Sequence, residues 1–247
     1  MSSRAKALIA AAVVIVVLVG GGLWWYLKDD APEAVSLDAA VDQVDDGAAT
    51  DATVTATSDA GSAIEGTWTI DAQTGDFDFE TATGTFAGFR VDEELAGIGA
   101  STAVGRTGDV TGNFTIEGTT VTEASFEVDL TTITTNESRR DGRVQDALET
   151  SRFPTATFTL TEPLDLGQGA ADADSVSVTA VGDLTIHGET QSVEFPLEAQ
   201  LVDGTVVLVG SLDLTFSDYG VEAPTSPIAL SVDDNGILEL QFLLTAT

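Results

Sequence analysis

Between residues 66 and 247 the chain returns again and again to one pattern: apolar and polar side chains alternate along short runs separated by turn signals. From Val121 to Leu130, Ala124, Phe126, Val128 and Leu130 share one parity, and Glu123, Ser125, Glu127 and Asp129 the other. A period of two belongs to a strand with one buried and one wet face. The same alternation sets Phe77 and Phe79 against Asp76, Asp78 and Glu80, and Phe114 and Ile116 against Asn113, Thr115 and Glu117. It recurs at Ala156, Phe158 and Leu160, at Val176, Val178, Ala180, Leu184 and Ile186, and at Val193, Phe195 and Leu197. Leu212, Leu214 and Phe216 continue it, and Leu238, Leu240, Phe242 and Leu244 close it. Gly118-Thr119, His187-Gly188 and Asp203-Gly204 sit where the chain must turn. Asp233-Asp234-Asn235-Gly236 reads as one more hairpin turn rather than a calcium loop, because it lacks EF-hand spacing.

Eight or more such strands in one open sheet would leave a whole apolar face in water. Hairpin after hairpin favours closure, which also removes the exposed edges. The expected fold is therefore all-β, an antiparallel up-and-down barrel of about eight strands with one short helix. An eight-stranded interior holds either its own side chains or a single ligand. Alternation alone leaves both open.

The one break lies in the middle. Asn136 to Leu148 loses the period of two and suits a short helix capped near Asn136, and Phe153-Pro154 ends it because a residue before proline leaves the helical region. Arg139, Arg140, Arg143 and Arg152 cluster here. The whole chain holds only 9 basic residues against 41 acidic ones, a formal net charge of -32, so the cluster is a local positive island. It could offer bidentate donors to a phosphate or carboxylate head group. It could equally pair with Glu137, Asp141, Asp146 and Glu149 in exposed contacts worth little.

The acidity would repel nucleic acid and anionic bilayer surfaces alike, and no nucleic-acid partner is expected. There is no cysteine and one histidine, which removes disulfides and zinc sites built on thiolate or imidazole, and no cofactor is indicated. That histidine, His187, stands in a turn with no marked Ser or Cys nucleophile beside it, so a contact at the barrel rim is expected before catalysis.

Arg4 and Lys6 precede an unbroken apolar run from Ala7 to Leu27, which ends in Trp24, Trp25 and Tyr26 before Lys28. Roughly 20 apolar residues at a rise of 1.5 Å cross a hydrocarbon core of ~30 Å, and interfacial aromatics suit its edge. Residues 1–28 read as a single-pass anchor with a cytoplasmic N-terminus. A cleaved signal peptide competes, but its apolar region would be shorter and end in an Ala-x-Ala-like site. Residues 29–65, rich in Ala, Asp and Thr and without aromatics, read as a disordered acidic linker. Residues 66–247 form the barrel domain.

Five short pieces occur in a telling order: Gly66-Thr67-Trp68-Thr69-Ile70-Asp71, then Thr135-Asn136 with Arg140-Asp141, then Phe153 to Phe158, then Gly182 to Gly188, then Ser217-Asp218-Tyr219-Gly220-Val221. Together they resemble the YceI-like family, whose domain is a lipocalin-like, polyisoprenoid-binding barrel. Two family histidines are replaced, by Thr74-Gly75 and by Arg143, so no role of theirs is carried over. The resemblance implies a hollow interior and a long apolar ligand, an isoprenoid or other lipid. The candidate lining is Phe77, Phe79, Phe114, Phe126, Val128, Phe158, Leu160, Val178, Leu184, Ile186, Phe195, Leu214 and Phe216. Head-group candidates are Arg139, Arg140, Arg143, Arg152 and His187. The expected function is a membrane-anchored, extracytoplasmic, non-catalytic lipid binder serving storage, transport or envelope protection. A structural or adhesive envelope module with a packed interior is the alternative, and an enzyme using His187 comes third.

Overall fold

The computed structural model of the chain describes residues 31–48, 64–70, 76–172, 174–224 and 229–247. The expected anchor at 1–28 lies outside the described residues, and among those residues no helix is long and apolar enough to cross a membrane. In chain order the elements are α1 (Leu37–Ala48), β1 (Gly66–Ile70), β2 (Phe86–Leu95), β3 (Gly99–Thr107), β4 (Val110–Glu117), β5 (Thr120–Asp129) and β6 (Thr134–Thr135). Then come α2 (Ser138–Ala147), β7 (Thr155–Leu160), β8 (Leu164–Asp165), β9 (Val176–Ile186), β10 (Glu189–Val202), β11 (Thr205–Thr215) and β12 (Ala229–Ala246).

Eight strands close into an antiparallel barrel in the order β1-β4-β5-β7-β9-β10-β11-β12, with β12 returning to β1. From β4 onward neighbours in sequence are neighbours in space, as an up-and-down meander requires. The first quarter departs from it. On the edge away from β11, β12 pairs with β1 through Leu244 to Ala246 and with β2 through Ala229 to Gln241, so β1 and β2 share one side of a single long strand. The β2–β3 hairpin thereby prolongs the wall as a flap beyond the closed ring. Asn235-Gly236 is not the hairpin its sequence suggests. The register slips between Val232 and Gly236, so Asp233, Asp234 and Asn235 bulge from a continuous strand. The bulge frees Asp234 to accept the Ser217 N–H at 2.9 Å and its hydroxyl at 2.6 Å, tying down the 3₁₀ turn Phe216–Tyr219.

A bulge also reconciles β5 with its sequence. Thr115 faces Glu123 while Ile116 faces Val121, so one extra residue shifts the parity and lets both Val121 and Phe126 point inward. The interior is an apolar cluster that includes Trp68, Phe114, Phe126, Phe195, Leu208 and Phe242.

The barrel's outer wall is covered too, which alternation did not foresee. Residues expected to be disordered linker instead form a strap. Leu37, Ala40, Val41 and Val44 recur at helical spacing, and that stripe of α1 packs on Val202, Val207, Val209 and Leu243. Ser36 precedes the helix and its Oγ accepts the Ala39 N–H at 3.4 Å. Just before α1 the chain lies over an ion triad on the outer faces of β2, β3 and β12. Glu239, 1 % exposed, has Arg90 Nε at 3.2 Å and Arg106 Nη2 at 3.3 Å. Arg106 Nη2 also donates to the Glu33 carbonyl at 2.8 Å, Arg90 Nη1 to the Pro32 carbonyl at 2.8 Å, and the Val35 N–H to Glu239 Oε1 at 3.3 Å. Burial pushes the Arg106 guanidinium below its ordinary range, and the charge of Glu239 opposes that shift.

Phe77 and Phe79 belong to this outer layer and not to the interior. Their stretch is a loop with one bridge, Asp78 to Thr83. Phe77 packs on Phe86 with ring centres 5.8 Å apart, and Phe79 lies beside the Arg106 guanidinium at 5.9 Å. Their alternation was real, but it marked cover for a buried arginine rather than a strand of the barrel.

Candidate functional site

Inside the barrel two apolar hollows lie in line. The first, about 130 Å³, is lined by Phe89, Phe126, Val128, Leu130, Phe158, Leu184, Ile186, Phe195, Leu214, Phe216 and Tyr219, among others. The second, about 90 Å³, lies toward the other end, against Phe114, Ile116, Leu160, Val178, Ala199 and Leu201. Phe126, Phe158, Leu197 and Leu208 border both and form a waist. Eleven of the thirteen lining residues expected from sequence face these hollows; Phe77 and Phe79 do not.

Sequence reasoning missed several walls of the first hollow. Ile133 follows the 3₁₀ turn Leu130–Thr132 and Leu148 caps the end of α2, and both line the hollow beside Leu130. Tyr219 and Val221 come from the turn after β11, where no period of two operates. Ile133, Tyr219 and Val221 standing among polar neighbours were the available signal, and all three are buried. Tyr219 is held above the ordinary phenol range, chiefly by burial and then by the charge of Asp218.

A third cavity of about 300 Å³ opens outside the ring, between the β2–β3 flap and α2. It shares Phe89, Leu148, Phe216 and Val221 with the first hollow, so an apolar lip joins outside to inside. Arg139, Arg140 and Arg143 line this mouth, beside Glu93, Glu137, Glu222 and Asp233. The four arginines of the cluster then divide. Arg140 is committed: it pairs with the buried Glu93 and donates to Asn136 Oδ1 at 2.7 Å. Arg139 is exposed and only 3.9 Å from the exposed Glu137. Arg143 is exposed and makes no ion pair among the described residues. Arg152 lies elsewhere, over the Phe153 ring at 4.6 Å and 3.6 Å from Glu149.

Glu137, not Asn136, caps α2, its carboxylate accepting the Arg139 N–H at 3.4 Å. Asn136 instead accepts the Val104 N–H at 3.1 Å and donates to the Thr102 carbonyl at 3.2 Å, stitching the helix start to β3. Asp141 accepts from both the N–H and the hydroxyl of Thr135, at 2.8 and 2.7 Å.

His187 lines none of the three cavities. It occupies a left-handed position, φ 53°, in the two-residue turn between β9 and β10, followed by Gly188 at φ 79°. Its Nδ1 donates to the Tyr219 carbonyl at 3.1 Å, its ring meets Phe153 edge-on at 4.7 Å, and Nε2 is 3.8 Å from Glu149. That is the geometry of a brace between two loops.

Residues 36–244 match the model of the YceI-like domain. The chain belongs to the YceI-like family. Among curated relatives, a UPF0312 protein of Shewanella denitrificans is 29% identical over 152 residues, covering 58% of this chain and 76% of that protein. One from a further Shewanella strain is 25% identical over 157 residues, covering 59% and 78%. Among solved structures, a polyisoprenoid binding domain from Saccharophagus degradans, implicated in plant cell wall breakdown, aligns at TM-score 0.53 and 18% identity over 73% of this chain and 98% of that one. BcnA of Burkholderia cenocepacia aligns at 0.50 and 16%, over 64% and 94%. At such identities the likeness shows the fold. The YceI-like match starts at residue 36, one residue before α1, so α1 falls within the matched span. In this YceI-like chain the motif residues Asn136, Arg140 and Asp141 are structural ties at the mouth, and of the arginines around them Arg139 and Arg143 stay unengaged by buried partners.

Proposed function

We propose that this chain binds one long apolar molecule, an isoprenoid or another lipid, along the barrel axis, with its polar end at Arg139 and Arg143. The observation that carries the reading is the succession of three cavities, mouth, first hollow and second hollow, each sharing apolar lining residues with the next. A dry apolar cavity of about 150 Å³ already admits a benzene-sized guest. A longer chain fits if the rings of Phe126 and Phe158 turn aside at the waist. Each CH₂ removed from water contributes about 0.8 kcal/mol gross, and the ordering of ligand and side chains offsets part of it. The Saccharophagus degradans domain, which shares the fold and is a polyisoprenoid binder, supports the same class of ligand.

The setting we infer is extracytoplasmic, with residues 1–28 as a membrane anchor, on the length of the apolar run and its basic and aromatic flanks. The role is binding rather than catalysis, because His187 braces the Tyr219 loop and faces no cavity. Extraction in gentle detergent, followed by mass spectrometry of whatever lipid comes away with the protein, tests the reading. A barrel that repeatedly emerges empty sinks it and favours a structural envelope module.

A further inference from the structure

Among the described residues three large apolar side chains stand exposed: Ile98 at 46 %, Leu230 at 64 % and Ile237 at 36 %. All three lie on the flap or on the part of β12 that pairs with it. Ile98 sits in the β2–β3 turn, and Leu230 lies between the pairs Ala229 to Leu95 and Ser231 to Glu94. The flap tip is also free of charge. No charged residue occurs from Leu95 to Gly105 or from Ala229 to Val232, in a chain with 41 acidic residues. Leu95 and Ile98 line the outer cavity as well, so the greasy tip and the mouth are one surface.

The strap shows which way that tip faces. Followed backwards from α1, the chain passes from Leu243 to Glu239 and then to Arg90, which lies level with Ile237. It therefore runs along β12 toward the end where the mouth opens. The strap is held to the barrel at Pro32, whose carbonyl accepts from Arg90, and the apolar run ends at Leu27. The four residues between reach at most about 14 Å, against the long tether that residues 29–65 would have given if free.

We propose that the flap tip rests in the surface of the lipid bilayer and that the barrel is loaded through the mouth directly from that bilayer. This rests on the reading of an anchored lipid binder. Ile98 and Leu230 enter at head-group depth, with Glu94 and Asp233 marking the limit of immersion, since neither carboxylate gains by leaving water. Arg139 and Arg143 then stand level with the phosphates. The lipid need never cross open water.

The absence of native cysteine makes the test clean. The full chain, inserted in phosphatidylcholine vesicles, carries a nitroxide at I98C, or at E117C in the β4–β5 turn at the opposite end. The label at 98 is expected to be shielded from a water-soluble relaxing agent and open to oxygen, as a label within a bilayer is, while the label at 117 reports water. A label at 98 as wet as that at 117 overturns the proposal. So does shielding that appears without lipid and grows with protein concentration, which marks a second copy of the chain. Lipid recovered from the barrel of the same sample is scored separately: an immersed tip over an empty interior upholds this orientation while removing the carrier reading, and a filled interior behind a wet tip overturns the orientation alone.

Discussion

The ring of Phe158 on β7 lies across Gly182 on β9, so close that a Cβ at position 182 would stand 2.4 Å from the ring's Cζ. The two are diagonal neighbours, since Leu160 pairs with Gly182 and Phe158 with Leu184. Phe126 uses Gly112, and Phe89 uses Gly105, each directly across its own pair. Large rings thus take up the space a glycine leaves on the wall, and those of Phe126 and Phe158 meet at the waist between the two hollows.

Gly182→Ala is expected to push Phe158 into the waist and to strain the backbone, because the new methyl would also meet the Thr159 carbonyl. The cost should be about 1–3 kcal/mol, as for other overpacked interiors. Phe158→Ala should do the opposite to the passage, merging the two hollows at a cost of about 3 kcal/mol. Denaturant midpoints read the stabilities, and the largest hydrophobic dye each variant admits reads the waist. Equal dye uptake by both variants would show that Phe158 does not divide the interior.

Glu239→Gln leaves the buried Arg106 guanidinium and the partly buried one of Arg90 without a counter-charge. Breaking a buried ionic group from one side costs about 3–5 kcal/mol. The Val35 N–H also loses its carboxylate acceptor, so the strap should release and become open to proteases between residues 31 and 48. Limited proteolysis checks this, and an unchanged cutting pattern would mean that α1 alone holds the strap.

Arg139→Gln with Arg143→Gln should shift the bound lipid from acidic toward neutral species, by up to about thirtyfold in relative occupancy, given that an exposed charge contact is worth at most about 1 kcal/mol and two act together. The fold should be untouched, because neither side chain is buried. Arg152→Gln is the matched control, since Arg152 lines no cavity. Competitive loading from a mixture of the two lipid classes makes the measurement.

Tyr219 sets an alkaline limit. Unfolded, its phenol gives up a proton near 10.0; folded, burial and then Asp218 hold that proton to higher pH. Between the two values the unfolded chain binds fewer protons than the folded one, so stability falls as pH rises through that window and is intact below it. A Tyr26→Phe background leaves Tyr219 as the single tyrosine, so phenolate absorbance follows it alone. A titration of the folded protein at the ordinary phenol pH would contradict the burial argument.

Much of the interior was legible because a barrel strand must alternate. Phe126, Phe158, Phe195 and Leu214 were found by parity alone. Parity names two faces without saying which one looks inward, and Phe77 and Phe79 show the consequence: a second buried layer outside the wall looks the same in sequence. The strap was legible in part. Ser36, Leu37, Ala40, Val41 and Val44 carry a cap and an apolar stripe, but the many aspartates and alanines around them hid it in an averaged composition. The triad of Arg90, Arg106 and Glu239 was out of reach, because its members are distant in sequence and nothing local marks a charge that will be buried. Asn235-Gly236 shows the converse: a strong turn signal became a bulge once both flanks found partners on one strand, β2.

The strap leaves a mark on how the molecule must be made. Its contacts lie on the barrel's final strand: Val35 waits for Glu239, some 204 positions downstream, and Leu37 is buried in one cluster with Leu243. The earliest piece of the barrel domain to leave the ribosome is therefore the last to be fastened. Until β12 arrives, neither the ring nor its outer cover can form, and such distant pairings close slowly. Whatever keeps a greasy, half-made sheet from its neighbours during that interval has to act on the whole translated length at once, since no earlier stopping point is self-sufficient.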